Sequence, residues 1–193
     1  MIFKGMDVLL SKIFKTKKNP NFTEEDLVSV IEQNEDAGLL EKNESEIIQN
    51  SIDWGDMKVK EVLTSRNKMF AIDTKGLTTE KLVQKICDTS FSRIPLYYGK
   101  KDNIIGILIV KAFLAAYINN NKINYLNFVE KPYVISPKTC LNDLADGFRN
   151  HKTQLAIVKQ KDELLGLVTM EDLLEELVGD IDEVYDLPKE ASK

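Results

Sequence analysis

The chain has few of the residues that build zinc sites and disulfide frameworks: one histidine and two cysteines among 193 residues. These three side chains cannot supply the four ligands of a structural zinc site, and two cysteines are too few for a disulfide framework. His151, beside Lys152 in a polar stretch, is interpreted as a solvated loop residue. Cys87 lies in an apolar helical pattern and is expected in the core. Cys140 stands at a turn before a helix.

Catalytic and membrane-spanning motifs are also missing. The sequence has no P-loop, no G-x-G-x-x-G fingerprint and no Ser/His/Asp or Cys/His set, so we expect no enzyme. No apolar stretch approaches the length of a membrane span. A net charge of -5 and a pI near 5.1 give no basic footprint for nucleic acid. Lys4, Asp7 and Lys12 interrupt the apolar start, which argues against a signal peptide and favours the cytoplasm.

What the chain does contain is a repeat. The stretch N-I-I-G-I-L-I-V-K-A-F-L, which begins at Asn103, recurs as E-L-L-G-L-V-T-M-E-D-L-L, which begins at Glu163. In both copies a short apolar run meets a glycine, Gly106 or Gly166, and then changes to helical spacing. A repeat of about sixty residues indicates one supersecondary unit used twice, because neither copy can bury its apolar face alone.

The two copies differ where binding chemistry is expected. The second copy contains the motif G-x-x-T-x-x-D, in which T is Thr169 and D is Asp172. The first copy has Ile109 and Ala112 at the corresponding positions. The framework is therefore duplicated, but the polar residues are present in one half. We expect the first crevice to be empty or much weaker, and one ligand per chain.

Patterning predicts an α+β layer architecture with the order βαββα in each repeat. Thr23 is predicted to cap the first helix of an acidic helical pair. The first repeat is read as strand 69–72, helix 79–87, strand 93–98, turn 100–103, strand 104–109 and helix 110–117. The second is read as strand 133–135, helix 141–148, strands 154–158 and 164–168, and helix 170–177.

Five segments follow from this reading. They are an amphipathic leader at 1–20, a helical extension at 21–56, a first domain at 57–120, a second at 121–186 and a tail at 187–193. The leader could lie against a membrane surface or continue from a preceding membrane segment, or it could be a frayed end or a cap on the core.

Several stretches resemble a tandem pair of CBS domains, and more narrowly the CorC/hemolysin C/CNNM branch of magnesium and cobalt transport proteins. They are E-V-L-T-S-R at 61–66, F-S-R-I-P at 91–95, L-A-I-V at 155–158 and G-L-V-T-M-E-D-L-L-E-E-L-V-G-D-I-D-E at 166–183. The resemblance covers about residues 23–186. It implies two tandem CBS domains that form a homodimer and regulate a membrane transport domain in the same or a partner chain.

The resemblance also implies an adenine nucleotide as ligand, ATP with magnesium first, with AMP or S-adenosylmethionine as alternatives. A dimerisation scaffold with no ligand is the remaining alternative. The expected site residues are Thr64, Arg66, Phe91, Arg93, Ile94, Pro95, Thr169 and Asp172. Family sites lie between the repeats, so the first six would come from one repeat and the last two from the other.

Each expected residue has a chemical role and a structural alternative. Asp172 can accept from two ribose hydroxyls, and Thr169 with free amides at the helix start can meet phosphate oxygens. Both could instead simply cap the helix. Thr64, Phe91 and the segment 94–95 offer an apolar slot for a purine, although Phe91 could be plain core.

Arg66 and Arg93 are expected to counter phosphate charge, although Arg93 could be an internal salt-bridge or packing residue. The acidic run from Glu171 to Glu183 suggests a solvated face, so no dedicated metal site is expected. Magnesium would arrive with the nucleotide phosphates.

Overall fold

The computed structural model of the chain describes residues 23–179. The chain divides into two units, one ending at Ile52 and the other beginning at Asp53. The leader predicted over residues 1–20 and the tail over 187–193 lie outside the described residues. So do Asp180, Asp182 and Glu183 of the acidic run.

The first unit holds a pair of helices, α1 (Glu24–Asp36) and α2 (Lys42–Asp53), whose last residue begins the next unit. The predicted N-cap at Thr23 is confirmed. Its hydroxyl accepts from the amide of Asp26 at 3.2 Å, and the Asp26 carboxylate accepts from the amide of Thr23 at 2.9 Å. After α1 the chain turns at Gly38, whose φ of +69° is left-handed and favours glycine.

The second unit contains both repeats. The first comprises α3 (Val59–Val62), β1 (Thr64–Ser65), β2 (Ile72–Asp73), α4 (Thr79–Cys87), β3 (Arg93–Tyr98), β4 (Lys100–Ile109) and α5 (Val110–Asn119). The second comprises a 3-10 turn (Tyr125–Phe128), β5 (Val129–Glu130), β6 (Tyr133–Ile135), α6 (Leu141–His151), β7 (Leu155–Gln160), β8 (Glu163–Thr169) and α7 (Met170–Val178). The predicted order of strand, helix, two strands and helix is confirmed in both.

Each repeat gives its first strand to the sheet of the other repeat. The two sheets have the orders β2-β3-β4-β5 and β1-β8-β7-β6. In each sheet a parallel pair, β2 with β3 or β6 with β7, is followed by an antiparallel hairpin. The outer neighbour of each hairpin comes from the other repeat, because β1 pairs with β8 and β5 pairs with β4. The two halves are therefore joined by main-chain hydrogen bonds.

The repeated glycines explain how these edge strands fit. A Cβ at Gly166 would clash with the carbonyl oxygen of Thr64 in β1. A Cβ at Gly106 would collide with Val129 and stand 2.8 Å from the carbonyl oxygen of Glu130, both in β5. Glycine is therefore needed at both positions because another backbone approaches closely, and not because of an unusual dihedral angle.

Alternation along the strands divides the core into three clusters. Leu108 of β4 packs with α4 and α5, whereas its neighbour Ile107 faces the opposite way. In β7 and β8, Val158 and Val168 pack with α6 and α7, whereas Ile157 and Leu167 join the cluster that holds Ile107. This third cluster therefore lies between the two sheets, with helices on their outer faces.

Some sequence predictions are wrong in detail. Residues 69–72 are not a strand, because β2 begins at Ile72 and Met69 is buried between the sheets. Residues 100–103 are not a turn but the start of β4, since Gly99 at φ +72° makes the reversal alone. The two-residue strands β1 and β5 were not foreseen.

Two single residues were also misplaced. Cys87 is exposed at the end of α4, not in the core. His151 lies in the last turn of α6, not in a loop, and its ring stacks on Tyr133 with centroids 4.2 Å apart. For His151 the reason is that α6 runs beyond residue 148, where the apolar pattern ends. For Cys87 the predicted helix bounds are right, but the side chain at the end of the helix is exposed. The domain boundary at residue 120 stays a prediction, and β5 lies beyond it while pairing with β4.

Within residues 23–179, none of the helices combines the length and apolarity needed to cross a membrane.

Replacing Gly166 with alanine should lower the free energy of unfolding by about 3 kcal/mol. This is the upper end of the usual cost of overpacking, because the new Cβ would clash with the backbone of Thr64, which cannot rotate away. Gly99→Ala is the matched control. Gly99 has a positive φ, unlike Gly166, but nothing lies within 4 Å of its Cβ position, so strain of about 1 kcal/mol is expected. Urea unfolding measures both variants. Equal losses would show that the approach of β1 to β8 does not require glycine.

Candidate functional site

A cavity of about 340 Å³ opens where β8 passes into α7. That volume lies within the usual range for small-molecule sites. Both repeats contribute to its walls, which are formed by Thr64, Lys68, Met69, Phe70, Ser90, Phe91, Ser92, Arg93 and Pro95 from the first and by Gln154, Leu155, Leu167, Thr169, Glu171 and Asp172 from the second. We call this the nucleoside cavity, after the ligand that the sequence resemblance implies.

Six of the eight residues singled out from the sequence line this cavity: Thr64, Phe91, Arg93, Pro95, Thr169 and Asp172. The other two do not. Ile94 is fully buried in the core of the first repeat, because alternate residues of β3 face opposite sides of the sheet. Arg66 forms an ion pair with Asp102 outside the cavity lining.

Asp172 closes a capping box at the start of α7. Its Oδ2 accepts from the Thr169 amide at 2.6 Å and from the Thr169 hydroxyl at 2.8 Å. The amide of Asp172 in turn donates to the Thr169 hydroxyl oxygen at 3.3 Å. Among the hydrogen bonds of residues 23–179, none reaches the other carboxylate oxygen, Oδ1. Capping therefore uses one oxygen and leaves the other to accept from a ligand.

The box limits what the helix start can donate. The amides of Thr169 and Asp172 bond within the box, and the amide of Met170 donates to the carbonyl of Gln154 at 3.0 Å. The Thr169 hydroxyl proton is also committed, to Asp172. These three amides and this hydroxyl are thus paired within the protein, and the expectation that Thr169 and free amides of this turn meet phosphate stays a prediction. The Thr169 oxygen can still accept.

An aromatic pair forms one wall. Phe91 stacks on Phe70 with ring centroids 5.5 Å apart and planes inclined by 21°. Phe91 is 52% exposed, so it is not a plain core residue. The buried side chains of Met69, Leu155 and Leu167 add apolar surface from the cluster between the sheets. A flat ring system could lie against this wall.

Charges at the cavity balance. Lys68 and Arg93 are positive, and Glu171 and Asp172 are negative. Lys68 was not foreseen from the sequence, because a single lysine in a polar turn carries no motif. It lies on the turn after β1, where the amides of Lys68 and Met69 both donate to the carbonyl of Ser65 at 2.9 Å.

A cationic clamp holds this turn in place. Lys101 Nζ donates to the carbonyl oxygens of Arg66 at 2.7 Å and Met69 at 2.9 Å. Arg66 forms a bidentate pair with Asp102, at 3.1 Å from Nε and 2.8 Å from Nη2. Lys159 from the other repeat donates to the Asp102 carbonyl at 3.0 Å. Arg66 thus supports the cavity wall from behind and does not face the cavity.

The clamp also shifts two ionisation equilibria. The hydrogen bonds from Arg66 lower the pKa of the Asp102 carboxyl below its ordinary value of 3.8. Burial lowers the pKa of the Lys101 ammonium, and the charge of Arg66 lowers it further.

Two comparisons within the chain isolate what is special about Asp172. The corresponding N-cap of α5 is Ile109, which makes no side-chain cap, and neither Ile109 nor Ala112 lines the nucleoside cavity. Thr23 and Asp26 form the same capping box on α1, but they do not line the cavity. The capping box on α1 therefore only stabilises its helix. The capping box on α7 lies beside a cavity and is therefore a candidate binding site as well.

Metal-ligating side chains do not cluster in the part of the chain that the structure describes. Residues 23–179 contain no group of three or more His, Cys, Asp or Glu side chains placed to hold an ion.

Residues 128–179 match the CBS domain family. The magnesium and cobalt efflux protein CorC of Vibrio cholerae is 31% identical over 180 residues, which are 92% of this chain and 60% of that protein. Hemolysin C of Brachyspira hyodysenteriae is 29% identical over 186 residues, which are 96% of this chain and 65% of that protein. Similar curated relatives are longer than this chain, which spans 30% to 65% of their length.

Solved structures show the same fold. The CBS domain of a bacterial CNNM/CorC family Mg2+ transporter in complex with ATP has a TM-score of 0.65 and 30% identity, covering 72% of this chain and 99% of that one. A CBS-domain pair with bound AMP from Klebsiella pneumoniae has a TM-score of 0.55 and 26% identity, covering 64% and 99%. The predicted α+β fold of tandem CBS domains is confirmed.

Acid should weaken the clamp through Asp102. Because its folded pKa is lowered, the stability it contributes is present above pH 3.8 and is lost as the pH falls through the lower folded value. The difference in free energy of unfolding between the parent and Asp102→Asn should therefore be constant well above pH 3.8 and shrink below it. Asp146→Asn, which removes an exposed ion pair, is the control. Urea unfolding across pH measures both, and a pH-independent difference for Asp102→Asn would contradict the assignment.

Proposed function

Since the chain belongs to the CBS-domain proteins of the CorC/hemolysin C family, we propose that it is a regulatory module that binds an adenine nucleotide, ATP with Mg2+. One observation carries the proposal. The Asp172 carboxylate keeps an oxygen open beside a cavity whose walls come from both repeats. An acceptor at the mouth of an apolar crevice suits a ribose diol attached to a flat base.

The base and the sugar would be recognised by different walls. The adenine ring would lie against the apolar side of the cavity, near Phe91 and Pro95. Asp172 Oδ1 would accept from a ribose hydroxyl, and the Thr169 oxygen can accept from a second. Both interactions leave the capping box intact, so binding does not require α7 to reorganise.

The phosphate chain would start near Arg93 and Lys68, the two cations of the cavity. Arginine suits phosphate because its planar fork donates two parallel hydrogen bonds. Glu171 carries the opposite charge at the same mouth, which favours a nucleotide that brings Mg2+ to offset its own charge. Titration with AMP and S-adenosylmethionine beside ATP decides among these adenosyl ligands.

Occupancy would be transmitted because the cavity joins the two repeats. A ligand that contacts Thr64 and Phe91 of one repeat and Asp172 of the other favours one arrangement of the pair and shifts the population towards it. In this proposal the module works in the cytoplasm as a homodimer. It reports nucleotide to a membrane domain for magnesium or cobalt transport, in the same chain or a partner.

Asp172→Ala should weaken ATP binding about ten- to a hundredfold, because charge-assisted hydrogen bonds to ribose are lost. The matched control is Asp26→Ala, which breaks the equivalent capping box on α1 and should leave affinity unchanged. Each variant should lose about 1 kcal/mol of helix stability. Titration calorimetry measures the affinities. If Asp172→Ala binds ATP as the parent does, the ribose role is wrong, and if the parent binds no adenosyl ligand, the scaffold alternative is favoured.

Stoichiometry should be one nucleotide per chain. Ile109 and Ala112 offer no acceptor to a ribose, and an unpaired polar group in an apolar crevice costs about 1–3 kcal/mol. Calorimetry at known chain concentration should give one site for the parent and one weaker site for Asp172→Ala. Two equal sites in the parent would show that the first crevice also binds.

A further inference from the structure

A second cavity, of about 330 Å³, adjoins the nucleoside cavity. The two share Arg93 and Gln154 in their linings. Its other walls come from the end of α6 and the start of α7, including Arg149, Lys152 and Met170. We call it the basic cavity. Because Arg93 borders both cavities, a ligand that reaches Arg93 from the first is already at the edge of the second.

The two cavities differ in charge. The nucleoside cavity is lined by two cations and two carboxylates, whereas the basic cavity is lined by Arg93, Arg149 and Lys152 and by no Asp or Glu. Local charge is therefore more positive in the basic cavity than in the cavity that Asp172 lines. An anionic chain attached to a nucleoside would gain by extending that way.

Two features oppose an anion there, and neither cancels the three cations. The end of α6 carries about half a negative elementary charge, but its carbonyls are capped, by the amide of Lys152 at Arg149 and that of Thr153 at Phe148. Asp146 pairs with Arg149 at 2.8 Å. Both side chains of that pair are mostly exposed, so the guanidinium can exchange this partner for a phosphate at little cost.

We infer that the basic cavity takes the β- and γ-phosphates of the nucleotide, so that Arg149 and Lys152 make the module prefer a nucleoside triphosphate over the monophosphate. The inference rests on the proposed nucleotide site. It assigns the choice between ATP and AMP to residues outside the nucleoside cavity. It leaves base and ribose recognition to residues that both ligands share.

The test compares ATP and AMP by calorimetry in the parent and in Arg149→Gln/Lys152→Gln. Exposed charges contribute up to about fivefold each, so the double variant should bind ATP about tenfold more weakly and AMP unchanged. Asp146→Asn, which releases Arg149 from its partner, should strengthen ATP binding a few-fold without affecting AMP. The preference should also fade at about 1 M salt, where the Debye length is about 3 Å.

Inorganic triphosphate separates a nucleotide tail from an independent anion site. It should compete with ATP in the parent and lose this ability in the double variant. Equal losses of ATP and AMP, no loss of either, or triphosphate binding without competition would overturn the inference while leaving the nucleotide site standing. A parent that binds neither nucleotide would overturn the proposed function and, with it, this inference.

Discussion

The close approach of backbone at Gly166 is the constraint on which the rest of the structure depends. It lets β1 of the first repeat pair with β8 of the second, and Gly106 does the same for β5 on β4. These pairings make one body of two repeats that could not bury their sheets separately. They also bring Thr64 and the turn that carries Lys68 to the cavity at the end of β8.

The proposed binding site is an extension of an ordinary helix cap. Thr169 and Asp172 satisfy each other's amides as Thr23 and Asp26 do elsewhere in the chain. Such a box fixes the carboxylate by two hydrogen bonds to one oxygen and leaves the other oxygen unused. The unused oxygen of Asp172 is available to a ligand because the capping box on α7 lies beside the cavity. Preorganisation of this kind reduces the entropy that a ligand must offset on binding.

Residues outside the cavity lining hold the cavity walls in place. Lys101 and Arg66 fix the turn after β1 through two carbonyl oxygens and a bidentate carboxylate, and Lys159 ties this clamp to the other repeat. The sequence signal at Arg66 is therefore structural. The sequence motif identified Arg66 but not its role. A positive charge near a proposed phosphate site could bind the phosphate itself or hold the cavity wall in place.

The sequence by itself determined the repeat, the order of its elements and the polar pair that distinguishes the second copy. Each of these depends on local patterns, such as the helical spacing in α6 or the T-x-x-D cap of α7. Only the tertiary structure decided the exchange of β1 and β5, which are two residues long and carry no periodicity. It also decided which side of β3 faces the cavity, placing Pro95 in its lining and Ile94 in the core. Lys68 and Gln154, which line the same cavity, are eighty-six positions apart in the sequence. A local sequence pattern cannot predict which distant backbone segment will pack beside a glycine.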